Sequence, residues 1–314
     1  MRWLIFLALI FLALMCRLPV TSAGDQTIHF TPHSDSLEIQ LNDQTVARYL
    51  FKDAAIGRPC FVDVKTASGL QVTRNHPPDR ATDLMDHENI HSGLWLSFGD
   101  LSGHDYWRLK AKTEHVRFLT EPRTENGVGT FLVLNRYLTT DGKSTVCEEV
   151  CEYKFRVSEQ GYMIEINSEF TPGLSGLVFG DQEEMGLGLR VASSIAVDSK
   201  KGGRIMDSAG RINGSEVWGK TADWCDYSGL IHGRWAGVTV MSSRENFHPS
   251  WSHARDYGFI AINPFGRNAF TKEAVSRVEV KPGSTLKLRY AAFIHETEEE
   301  SGYQPQSAWK LFEP

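Results

Sequence analysis

The chain has 314 residues, 41% hydrophobic and 23% charged, with a formal charge of -6 at pH 7. This composition argues against a disordered, collagenous or coiled-coil protein. With no basic block to neutralise phosphates, it also argues against a nucleic-acid partner.

Residues 1–23 read as an export signal: Arg2, an apolar run from Trp3 to Met15, then the small residues Thr21-Ser22-Ala23. The run falls short of the roughly 20 apolar residues that cross a bilayer. No later stretch approaches that length. The expected mature protein is one domain, 24–314, periplasmic or extracellular, with no membrane span after signal cleavage.

From there the dominant period is two. Strand patterns occur near 36–41, 45–51, 60–65, 115–119, 129–138, 145–157, 162–170, 187–198, 231–241, 257–262, 273–280 and 286–290. In the 162–170 run Ile164, Ile166 and Phe170 share one face, with Glu165, Asn167 and Glu169 on the other. Asn126-Gly127, Asp141-Gly142, Pro172-Gly173, Asn213-Gly214 and Pro282-Gly283 punctuate the runs. Only 82–91 and 303–312 offer short helices. The pattern predicts an all-β protein, a large antiparallel β-sandwich. The stretches 74–93, 180–190, 202–229 and 243–256 read as long irregular loops, where binding and catalysis concentrate.

Four cysteines follow the signal. Cys147 and Cys151 lie four positions apart in a strand pattern, about 13 Å along the chain. That exceeds the roughly 7 Å between bridged Cα atoms. One bridge to Cys60 or Cys225, or four buried thiols, both fit.

Three segments can carry chemistry. The first is 74–93, with Arg74, Asn75, His76, His87 and His91. Histidine is suited to proton transfer near neutrality and to metal ligation. His87-Glu88-Asn89-Ile90-His91 spells a zinc-protease string, but Pro77-Pro78 and Gly93 confine any helix there. A divalent metal held by His87 and His91 is the alternative cofactor reading. The second is 180–190, where Glu183 and Glu184 stand between glycines and Arg190 closes the run. A glutamate meeting a histidine from another loop supplies both halves of acid–base work. The third is 244–266, with His248, Trp251, His253, Arg255 and Asn263. Its aromatic faces beside hydrogen-bonding groups suit sugar rings. No phosphate-binding loop, dinucleotide fingerprint or Gly-x-Ser-x-Gly elbow is present.

Val72-Thr-Arg-Asn-His-Pro-Pro78, Asp86-His-x-x-x-His91 leading into Gly93-Leu-Trp-Leu-Ser-Phe-Gly-Asp100, Asp181-Gln-Glu-Glu-Met-Gly-Leu-Gly-Leu-Arg190, Trp224-Cys-Asp-Tyr-Ser-Gly229 and Asp256-Tyr-Gly-Phe-Ile-Ala-Ile-Asn-Pro-Phe-Gly266 form one combination. It resembles the exported bacterial PmoA-like family of unknown function, found in planctomycetes. The resemblance covers roughly 55–295. It implies a galactose-mutarotase-like super-sandwich and an association with carbohydrate degradation.

The expected activity is therefore acid–base chemistry on a sugar or glycoside, as an isomerase, lyase or hydrolase. His87 or His91 would serve as acid and Glu183 or Glu184 as base. Arg74, Asn75, His76, Arg190, Asp226, His253 and Asn263 would contact the carbohydrate, a small molecule or oligosaccharide. A non-catalytic carbohydrate-binding protein and a metal-dependent enzyme are the alternatives.

Overall fold

The computed structural model describes residues 27–313, so the export-signal reading lies outside the described residues. Two eight-stranded antiparallel sheets face each other. The first runs, edge to edge, β1 (Ile28–Pro32), β2 (Ser36–Leu41), β3 (Gln44–Leu50), β4 (Cys60–Val62), β5 (Leu94–Phe98), β11 (Met185–Arg190), β16 (Phe259–Asn263) and β15 (Trp251–Arg255). The second runs β12 (Arg204–Asp207), β13 (Trp224–Ile231), β14 (Arg234–Ser242), β18 (Leu286–Thr297), β9 (Gly161–Pro172), β8 (Thr145–Ser158), β7 (Val128–Leu138) and β6 (Thr113–Glu125). A short pair, β10 (Leu177–Phe179) with β17 (Val278–Val280), stands apart. The helices are short: α1 (Asn213–Val217), α2 (Arg267–Thr271) and α3 (Pro305–Phe312). No helix of the described residues is long and apolar enough to cross a membrane.

Period-two patterning builds the layers. On β8, Cys147, Glu149, Cys151, Tyr153 and Phe155 point inward while Glu148, Val150, Glu152 and Lys154 face out. One apolar cluster between the sheets extends from Ile28 to Ile294. The Asn126-Gly127 turn joining β6 to β7 holds both residues at positive φ, 52° and 75°, matching the twist of the strands it connects.

The expected all-β sandwich is what the chain forms, with four local differences. Segment 82–91 is a series of turns, not a helix. The 187–198 run stops as a strand at Arg190 and continues in 3-10 turns at Ser193–Ile195 and Val197–Ser199. Segments 180–190, 202–229 and 243–256 are less irregular than expected, since β11, β12, α1, most of β13 and β15 lie within them. Glu165 does not face solvent: it is buried, with Arg156 at 3.2 Å and Arg289 at 3.7 Å, because α3 packs beside Met163 over that side of the second sheet.

All four described cysteines are buried and free. Cys147 and Cys151 do share a face of β8, and neither Cys60 nor Cys225 reaches them. Burial raises the Cys60 thiol to about 12, so it stays protonated and unreactive.

Candidate functional site

The inner face of β5, β11 and β16 supplies the core with Leu94, Phe98, Met185, Leu187, Leu189, Ile260 and Ile262. Alternation sends the intervening residues to the outer face. Register pairs Trp95 with Gly188, Gly188 with Ala261, Arg190 with Phe259, and His253 with Ala261. The glycine matters here. A Cβ on Gly188 would lie 2.5 Å from Trp95 Cε2 and 2.8 Å from Trp107 Cη2, so only glycine lets both indoles lie against β11.

Over this face the 84–91 turns fold down, held by Arg74. Its guanidinium donates to the carbonyls of Leu84, Asp86, His87 and His91 at 2.6–3.0 Å. Arg74 is buried and spends its donors on backbone, so it corrects the expectation of a substrate contact. Asn75 donates to Asp83 Oδ2 at 2.9 Å and His76 lies 3.3 Å from Asp53; both tie loops together and neither joins the other histidines.

His91 is 1% exposed. Its ring lies parallel to Phe259 at 4.3 Å and to His87 at 4.6 Å. Trp107 Nε1–H donates to its Nε2 at 3.4 Å, which leaves the imidazole proton on Nδ1. Burial, then the nearby His87, Arg190, Arg58 and Arg74, lowers its pKa to about 2. A neutral, enclosed ring cannot be the expected acid. The metal reading fails on the same geometry: stacked rings point their nitrogens in parallel planes, whereas ligands must converge. Among the described residues no group of three His, Cys, Asp or Glu side chains is placed to hold an ion. Glu88 of the string pairs loosely with the exposed Arg80, 3.8 Å away.

His87 is different. It stays 43% exposed, in the left-handed region at φ 51°. Its Nδ1–H donates to Asp86 Oδ2 at 2.8 Å, leaving Nε2 free. Asp86 in turn accepts two bonds from Arg190, at 2.7 and 2.6 Å. Partial burial pushes the Asp86 carboxyl up, but the hydrogen bonds from Arg190 and His87 outweigh it and hold it well below the usual range. Arg190 is fully buried, with its guanidinium 4.8 Å above the Tyr257 ring. It is therefore a support for Asp86 rather than the expected substrate contact.

Tyr257 stacks on His87 at 5.8 Å and on Phe259 at 6.2 Å. Phe259 in turn touches His253, which lies beside Glu183. His253 packs edge-on against Phe259 at 5.1 Å, and its Nε2 is 3.4 Å from Glu183 Oε2. Burial, aided by Arg255, lowers His253 to about 3. Arg255 reaches the same Glu183 oxygen at 3.4 Å. Asn263 is fully buried and donates to the carbonyls of Gln182 and Glu183, fixing the segment that carries Glu183. It contacts no open surface, which corrects its expected role. Glu184 points elsewhere and is paired with Arg108; the two adjacent glutamates part at the bend that precedes β11.

Asp226 is the clearest correction. It lies on β13 in the other sheet, 1% exposed, accepting from His295 Nε2 at 2.9 Å, Thr239 at 2.7 Å and Ser228 at 2.6 Å. Tyr303 covers that pair, its ring 3.6 Å from His295. The site thus combines Asp86, His87, Arg190, Tyr257, His253, Arg255 and Glu183. Asp86 and Tyr257 were missed as site residues, and Arg255 was named only as a member of the third segment. Their signal was positional: Asp86 adjoins His87, and Arg255 and Tyr257 continue the His253 alternation.

A wide cleft of about 810 Å³ opens elsewhere, between loops that include Asp100, His104, Thr139, Leu174, Asp181 and Ser276. Its titratable groups are already engaged: Asp181 accepts three backbone N–H bonds and His104 bonds Thr140.

Among solved structures, the chain is similar to a galactose mutarotase-like protein from Clostridium acetobutylicum, at 12% identity and TM-score 0.46, covering 88% of this chain and 99% of that one. A putative aldose 1-epimerase from Escherichia coli K12 is similar at 11% identity and TM-score 0.36, over 87% of this chain and 100% of that one. A heparan sulfate lyase from Pedobacter heparinus is similar at 9% identity and TM-score 0.37, over 89% of this chain but only 37% of the lyase. No curated protein matches the sequence. Residues 36–309 match the profile of a Family of unknown function (DUF6807), and the chain belongs to that family.

Proposed function

We propose that this protein is an exported, carbohydrate-active enzyme that moves protons with His87. The observation that carries this reading is the chain Arg190–Asp86–His87. A carboxylate fixes the imidazole tautomer, a buried guanidinium fixes the carboxylate, and the half-exposed imidazole keeps its Nε2 free of protein partners. Past the Phe259 and His253 rings, Glu183 and Arg255 offer an acceptor and donors for hydroxyl groups. The rim carries both signs of charge in near balance, which suits a neutral, hydroxyl-rich ligand better than a phosphate or an apolar one. His87 exchanges a proton with the substrate, and Glu183 and Arg255 orient the ring. That arrangement serves isomerisation, elimination or hydrolysis.

The test assays the purified protein on mono- and oligosaccharides for mutarotation by polarimetry, elimination by ultraviolet absorbance and hydrolysis by reducing ends, with calorimetric binding alongside. The expected result is turnover in one class, lost in His87→Asn while affinity persists. Wild-type binding without turnover would make it a binding protein. Neither binding nor turnover would end the carbohydrate reading.

A further inference from the structure

Beyond Arg255 the same face continues into a groove of about 380 Å³ lined by Gly214, Ser215, Trp218, Ala254, Arg255 and Asp256. Its walls are tied together. Gly214 N–H donates to Asp256 Oδ1 at 2.7 Å and Gly219 N–H donates to Ser252 O at 2.8 Å, which fastens α1 and the Trp218 turn against β15. The Trp218 ring leans edge-on against Phe270 of α2, 5.5 Å between centres. Its Nε1–H is shielded from water yet has no acceptor. A ligand oxygen has no path to that nitrogen, so the indole contributes its ring rather than its N–H to the groove. The Arg255 guanidinium lies 5.6 Å from the Trp218 ring centre while its other side reaches Glu183 at 3.4 Å. One side chain therefore borders both the groove and the His253–Glu183 pair.

We infer that this groove is a second saccharide subsite contiguous with the first, so that the substrate is an oligosaccharide or glycoside whose adjoining unit sits against Trp218. The inference rests on the carbohydrate reading above and narrows it to chains longer than one ring. The groove offers part of the Trp218 indole for ring C–H groups, Arg255 donors, the Ser215 hydroxyl and the Asp256 carboxylate. Vicinal hydroxyls, each donor and acceptor, match that set. An anionic group would meet Asp256, and an apolar one would leave the Arg255, Ser215 and Asp256 groups unpaired. Because both walls are already bonded in place, little ordering opposes occupancy.

The test follows tryptophan indole N–H signals of the full chain by ¹⁵N-edited NMR, with Trp218→Phe identifying the Trp218 signal. Calorimetry compares a monosaccharide with its di- and trisaccharide on wild type and Trp218→Ala. Wild type is expected to bind the longer chains about tenfold more tightly than the single ring, the gain of one or two added contacts. That gain vanishes in Trp218→Ala, and the Trp218 signal moves only with the longer chains. Unmoved signals from the other indoles in Trp218→Phe and Trp218→Ala establish that both variants fold. If saccharides bind but show no length-dependent gain, or the gain survives Trp218→Ala, the subsite is refuted and the primary site stands. If no saccharide of any length binds, the carbohydrate reading falls and takes the subsite with it.

Discussion

His91 sets how this protein responds to acid. The ring is enclosed by Phe259, His87, Trp95 and Trp107, with Arg58, Arg74 and Arg190 nearby and its Nδ1 without a partner. The folded state holds it neutral down to about 2, against 6.5 for the ordinary side chain. Between those values the unfolded chain binds a proton that the folded chain refuses. Stability is therefore intact above pH 6.5 and falls as pH drops through it. Near pH 5 the loss amounts to about 2 kcal/mol from this residue, at about 1.4 kcal/mol per pH unit. That is a large share of the roughly 5–15 kcal/mol that holds a domain folded. His91→Gln keeps an acceptor for the Trp107 N–H but cannot titrate. Urea unfolding of both proteins, followed by tryptophan fluorescence from neutral pH to about pH 4.5, isolates the term. Any fixed cost of the substitution shifts the whole curve, while the loss of titration changes its slope. The wild-type curve should steepen relative to the variant by roughly one proton's worth below pH 6.5. Parallel curves, or an NMR titration of His91 in the folded protein near pH 6, would refute the enclosed neutral ring.

Three other expectations follow from the same geometry. Arg190→Lys loses the two-pronged grip on Asp86, so turnover should fall about tenfold and its pH profile should shift while sugar affinity holds; an unchanged profile would show that His87 works without that support. Gly188→Ala forces a methyl into the Trp95 and Trp107 rings and should cost about 1–3 kcal/mol, read as a lower melting temperature, with no loss counting against the packing described. Cys60, Cys147, Cys151 and Cys225 should resist a thiol reagent until the protein unfolds, and reducing agent should leave the melting temperature unchanged. Rapid labelling of the native protein would contradict their burial.

The sandwich was legible because alternation is a local property. Runs such as 36–41 and 145–157 show their buried face in the sequence and became β2 and β8 with nearly those limits. The short strands β12 and β15 were hidden because they lie among Gly, Ser and His residues. Their burial comes from α1, α2 and neighbouring strands rather than from their own pattern. Candidate histidines and carboxylates were also visible, since few other residue types transfer protons at neutral pH. Their roles were not. His87 and His91 have the same chemistry and stand four residues apart, yet one is exposed beside Asp86 and the other lies sandwiched against Phe259, 168 positions onward in the chain.

Alternation, turn residues and the supply of titratable groups thus followed from the amino-acid order alone, because each depends on neighbours a few positions away. Which sheet each group joined, which carboxylate met which imidazole, and which arginine was spent on backbone carbonyls depended on strand order. That order brings β5, β11 and the β15–β16 pair side by side from three distant parts of the chain. It also carries Asp226 to the opposite sheet, into a closed pair with His295. Proton affinity and access to a ligand are set by the burial and charge around a group, and those surroundings exist only once the two sheets have packed.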